Sequence, residues 1–211
     1  MKIESVQLGA SGVATVATGG SRFYFRVEQL EALGGQAPAP GTEVDEEGES
    51  RLRLAAEAYE AERKGMSLAA RAEHSEQLLH TKLQARGFSL PAIRLALARL
   101  VSEGFVDDRR FALAFAASRL ARRSEGPRSL ETALRAHGVD PELARAVATE
   151  SFGPEQRGQS LMRAVERELR RAHGESRAVE ARLRALGYRS EEIREALAAR
   201  RGGTEPESAA E

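Results

Sequence analysis

Asp107 and Asp108, adjacent carboxylates in "EGFVDDRRFALAF", are the first residues of this chain whose types could do chemistry. A carboxylate pair can act as an acid/base couple or bind a divalent metal, and either use needs further His, Asp or Glu side chains converging on it. Four histidines stand at 74, 80, 137 and 173, and none makes an H-x-x-x-H or comparable ligand spacing. There is no cysteine, which removes thiolate metal sites, cysteine nucleophiles and disulfides. No G-x-x-x-x-G-K-[ST] occurs, nor a G-x-G-x-x-G opening a helix after a strand, and "GGSRF" reads as a hairpin turn. Ser75, Ser89 and Ser190 sit where helices would begin, and no Ser-His-Asp order stands out. The two aspartates precede an apolar, helix-forming run, where a capping side chain is worth about 1 kcal/mol. Asp108 (or Asp107) is therefore expected to cap that helix. The expectation is a non-enzyme with no catalytic residue, no metal and no cofactor.

Arginine offers a different chemistry. Of the 32 basic residues only Lys2, Lys64 and Lys82 are lysines, and the planar guanidinium fork suits carboxylates and phosphates. Projecting residues 108–123 on a helix groups Phe111, Ala114, Phe115 and Ser118 on one side, and Leu113, Ala117 and Leu120 on another. The remaining arc carries Arg109, Arg119 and Arg123 over a floor of Ala112 and Ala116. In residues 155–172, Leu161, Met162, Val165 and Leu169 are expected inward. Arg163, Arg167, Arg170 and Arg171 lie opposite, diluted by Glu166 and Glu168. These arginines are the candidate partner or DNA contacts, although an ordinary solvated helix face has the same pattern. Neither arc interleaves the aromatic residues that stack single-stranded bases, so any nucleic-acid contact would be to phosphate.

The elements that must position these side chains fall into two kinds. "KIESVQL", "VATVAT" and "RFYFRV" are β-branched and aromatic runs separated by "GASG" and "TGGS", which predicts a small antiparallel β-rich segment over residues 1–35. Residues 36–50 are Gly/Pro-rich and then acidic, and read as a linker. From 51 to 201 the sequence is helical in period and it repeats. Leu83, Gly87, Phe88, Ile93 and Leu97 recur as Leu183, Gly187, Tyr188, Ile193 and Leu197, and Leu134, Gly138 and Val139 form a middle copy. Each glycine ends a helix in the left-handed conformation. An apolar residue follows, and Ser89, Asp140 or Ser190 then caps the next helix, with Pro141 in its first turn. A further helix precedes each pair, near 51–64, 108–123 and 155–172. The fold class expected is mainly α: three elongated tandem three-helix repeats at 51–107, 108–153 and 154–201, followed by a disordered tail at 202–211.

Formal charge is balanced, but residues 1–50 carry a net −5, residues 51–201 a net +8 and the last ten residues −3. A basic body between acidic ends suits a partner with a negative surface. The start has no apolar core of signal-peptide length and no 18-residue apolar run occurs, so a soluble, cytoplasmic protein without membrane contact is expected.

The segment "LLHTKLQARGFSLPAIRLALARLVSEGFVDDRRFALAFAASRL" (78–120) resembles the first repeat of the RecX family, regulators of the recombinase RecA. The shared pattern is a K-L helix, a GF/GY turn, an I-x-x-x-L helix, a G-[FY]-[IV]-D-D turn and an Arg-containing F-A helix. "RLRALGYRSEEIREAL" (182–197) resembles the family's last repeat, and the β-rich front resembles the amino-terminal extension of some members. The resemblance covers residues 51–201 and implies a regulatory, non-catalytic protein of homologous recombination, DNA repair and the SOS response. It implies RecA as the partner, bound in the filament groove or at its end, with single-stranded DNA met through that filament. RecA ATPase, strand exchange and co-protease activity would be inhibited, and a monomer is expected. The alternative is a stand-alone nucleic-acid-binding helical-repeat protein using the same arginine faces.

Overall fold

Alternation in the first 26 residues produces a three-stranded antiparallel sheet in the order β1 (Ile3–Leu8), β2 (Val13–Thr18), β3 (Ser21–Arg26). The computed structural model describes residues 1–9, 12–172 and 176–202; His173 and the expected disordered tail from 203 onward lie outside the described residues. Thr18 pairs with Ser21 across a two-residue turn in which Gly20 has φ 134°, a backbone state that a β-carbon disfavours. Ala14, Val16, Phe23 and Phe25 point to the buried face, while Leu8 and Tyr24 are exposed.

What covers that face is a helix that begins five residues before the expected start. α1 (Val27–Ala32) is a short, unforeseen turn of helix, and α2 runs Glu46–Ala69 rather than 51–64. Asp45 accepts the Gly48 N–H at 2.8 Å, and Glu46, Glu47 and Glu49 fill the first turn. The acidic half of the expected linker is thus a capped helix start, where carboxylates favour the dipole. Its Gly/Pro half is tied to β1: Ile3 N–H donates to the Thr42 carbonyl at 3.0 Å and Val44 N–H to that of Met1 at 2.8 Å. Leu52 and Ala55 of α2 close one core with Ile3, Val16, Phe25 and Leu30.

The chain divides into two units, Met1–Asp108 and Arg109–Glu211. In the first, α2 carries Ala55, Ala58, Ala61 and Gly65 along its buried side, so α4 (Leu90–Ser102) approaches closely; a β-carbon on Gly65 would stand 2.5 Å from Leu100 Cδ1. α3 (Glu76–Gln84) completes the triplet around Leu79, Leu83, Ile93, Leu97, Leu100 and Val106. In the second unit α5 (Asp108–Arg122), α6 (Pro127–Ala136) and α7 (Pro141–Ser151) form the next triplet. α8 (Pro154–Arg171), α9 (Ser176–Ala185) and α10 (Ser190–Gly202) form the last, around Leu161, Val165, Val179, Leu183 and Ile193. Among the described residues these ten helices and one sheet make a mainly helical repeat fold.

The punctuation follows the sequence reading with two corrections. Gly87, Gly138 and Gly187 have φ of 89°, 81° and 88°, and Ser75, Ser89 and Asp140 cap α3, α4 and α7. Ser190, expected as a cap, is instead the first residue of α10, and the Glu192 carboxylate accepts the Arg189 N–H at 3.1 Å. Asp108 likewise lies inside α5. Its Oδ1 accepts the Glu76 N–H at 2.8 Å, so it serves the start of α3 rather than of its own helix, and Asp107 holds the position before α5.

Candidate partner-binding surface

The arginines of α5 do not share one environment. Arg109 is half exposed and donates to Glu150 of α7 at 2.9 Å, an exposed pair that adds little stability. Arg119 is turned inward instead. Its Nε and Nη2 grip both carboxylate oxygens of Glu125, the second at 3.0 Å, and its guanidinium lies 5.7 Å from the Phe115 ring centroid. Glu125 is 3% exposed and also accepts the Ser129 hydroxyl at 2.7 Å, so the carboxylate is closed off from any outside cation. Arg123, one residue beyond the helix, is exposed.

The floor expected between these arginines is not open. Ala112 and Ala116 are buried, whereas Ala114, Ala117 and Ser118 are exposed. Phe111 and Phe115 gather on His137, the latter with ring centroids 4.8 Å apart. Alanine occupies several arcs of this helix, so its apolar pattern does not select which of them is covered.

On α8 the expected inward residues are covered, and so is one that was expected outward. Glu168 is buried, with Arg167 Nε at 3.1 Å, Arg171 Nη1 at 3.5 Å and Arg182 of α9 at 3.8 Å. Arg163 and Arg170 are exposed, seven residues apart and so on one face, with half-exposed Arg167 between them. Arg163, Arg167 and Arg170 are thus the arc that the structure brings together, with Arg171 alongside.

Several ionic groups escaped the sequence reading. In the first unit, buried Glu62 of α2 accepts Arg26 at 2.8 and 2.9 Å and Gln29 at 3.1 Å, which raises the Arg26 guanidinium above its ordinary value chiefly through that hydrogen bond. In the second, burial pushes the Tyr188 phenol up, and its hydroxyl donates to Ser160 Oγ at 3.0 Å. His74 Nδ1 donates to the Ala72 carbonyl, which leaves Nε2 to accept from Lys82 Nζ at 2.5 Å. Among the described residues no cluster of His, Asp or Glu could hold a metal ion, and no helix is long and apolar enough to cross a membrane.

Comparison with known proteins bears on the family and the fold. The family model described as RecX, second three-helix domain, matches residues 107–147. Residues 107–120, read above with the first repeat, therefore open the second. "Regulatory protein RecX" of Thermus thermophilus is 39% identical over 114 residues, covering 54% of this chain and 74% of that protein. The protein of the same name from Xanthomonas campestris pv. campestris is 39% identical over 87 residues, 41% of this chain and 53% of that one. The chain thus spans about half the length of the Xanthomonas relatives it matches. A solved structure titled "Crystal structure of regulatory protein RecX" superposes with a TM-score of 0.72 at 18% identity, over 92% of this chain and 98% of that one. RecX from Lactobacillus salivarius gives 0.61 at 12% identity, over 68% and 96%. These two likenesses concern the fold.

Proposed function

The chain belongs to the RecX family, and on that premise we propose that it is a regulator of RecA, acting by occupying the RecA filament on single-stranded DNA. Family membership carries this reading, and the arginine faces supply a means. Arg163, Arg170 and Arg123 are the outward cations that would meet carboxylates of RecA or phosphates of its DNA, and Arg167 and Arg171 would join them by loosening their pairing with Glu168. Arg109 would join them by releasing its exposed partner Glu150, and Arg119 would support the helix from within. The three triplets would act as repeat units with boundaries near 107 and 153, the first extended back to Glu46. In this reading the activity is binding rather than turnover, and the protein works in the cytoplasm.

The test is a titration of RecA's ATPase on single-stranded DNA. Stoichiometric or lower amounts of the protein are expected to depress the steady-state rate. An unchanged rate at several-fold excess over RecA rejects the proposal.

A further inference from the structure

The second unit contains a concavity of about 330 Å³ whose charged lining is not the outward arcs. Arg128 of α6, Arg145 of α7, Arg157 of α8 and Arg189 of the α9–α10 turn converge on it from four elements, with one carboxylate, Glu131, and an apolar wall at Phe152. Arg157 pairs with Glu192 of α10, and its Nε is buried without a hydrogen-bond partner among the described residues. Among the same residues no carboxylate lies within ion-pair distance of Arg128, Arg145 or Arg189. The first turn of α6, at the edge of the concavity, has no side-chain cap.

We infer that this concavity is a binding site for a phosphate group of a nucleotide-sized ligand, held by Arg128, Arg145 and Arg189 around a fixed Arg157. Arg128, Arg145 and Arg189 are exposed, and like charges that line one concavity repel each other unless an anion sits between them. A carboxylate offers two oxygens to such a ring. A phosphate sets its oxygens around a tetrahedral centre rather than in one plane, and a terminal phosphate also bears a larger charge, so it answers forks from several directions. The volume is at the lower end of the about 300–1,000 Å³ usual for small-ligand sites, which suits one nucleotide unit. An uncapped helix start on the rim adds partial positive charge of the same sign. The site stands apart from the RecA reading and is testable without RecA.

Anisotropy of a fluorescein-labelled dT15 oligonucleotide, across a potassium chloride series, tests it on the full chain. R145A/R189A is expected to weaken binding about tenfold and to flatten the slope of log K against log salt by about 1.4, two contacts at roughly 0.7 each for a single strand. E131Q removes the opposing carboxylate and should tighten binding about three-fold or more, a gain that misfolding cannot mimic. Displacement by dTTP or pyrophosphate would assign the site to free phosphates as well as strands; failure of both to displace would assign it to the strand. Affinity unchanged in both R145A/R189A and E131Q, or displacement by poly-L-glutamate as effective as by pyrophosphate at equal charge, overturns the inference.

Discussion

Arg119 is of the same type as Arg109 and Arg123 and lies on the same arc of its helix, yet its guanidinium is folded onto a carboxylate that is 3% exposed. Removing it leaves Glu125, among the described residues, with the Ser129 hydroxyl as its donor side chain. Breaking a buried pair costs about 3–5 kcal/mol, and the lower end applies because Arg119 is itself partly exposed. R119A is therefore expected to lower stability by about 3 kcal/mol, while R123A stays within about 0.5 kcal/mol of the parent. Urea unfolding midpoints would show this, and equal midpoints for the two variants would refute the assignment. The arginine arc was legible from spacing. Its division into inward and outward members was not, because Glu125 sits in "RRSEGPRS", a stretch that reads as a solvated loop.

Helix ends give the same contrast one scale up. Gly87 and Gly187 share a left-handed φ near 89° and 88°, but only one has room. Nothing lies within 4 Å of a β-carbon on Gly87, whereas one on Gly187 would stand 2.5 Å from the Ser129 backbone nitrogen. Gly126 is equally constrained, its β-carbon position lying 2.6 Å from the Gly187 carbonyl oxygen, and its N–H donates to the Leu186 carbonyl at 2.7 Å. The start of α6 and the α9–α10 turn are thus in backbone contact, which no side chain larger than hydrogen permits. G87A should cost about 1 kcal/mol from the backbone state alone. G187A adds overpacking of about 1–3 kcal/mol. Chemical denaturation of the two variants distinguishes them, and equal losses would mean the contact is slack. The repeat located these glycines, but the second constraint comes from an element nearly sixty residues away.

For the whole molecule, the relevant quantity is the charge distribution. The net −5 of the first 50 residues and +8 of residues 51–201 leave the basic surface on the helical triplets. If that surface engages a filament, reversing its exposed charges should weaken regulation without unfolding the protein. R163E/R170E is expected to raise the concentration for half-inhibition of RecA ATPase about tenfold, with the deficit shrinking at high salt as exposed charges are screened. Thermal unfolding should move little, since both side chains are exposed. Undiminished inhibition by a folded double variant would place the contact elsewhere.

Period, turn chemistry and composition were enough to give the antiparallel strands and the three helical triplets, because each depends on neighbours a few residues apart in the chain; the family came from the resemblance of ordered motifs. Asp45 and the glutamates after it already spelled a helix start, although the preceding Gly/Pro run concealed it. The tertiary structure alone decided that Asp108 serves α3, that Ala112 and Ala116 are covered, and that Glu125 and Glu168 are buried among arginines. It alone gathered Arg128, Arg145, Arg157 and Arg189 around one cavity. Helical period fixes which side chains share a face, whereas burial and pairing depend on which face a distant helix covers.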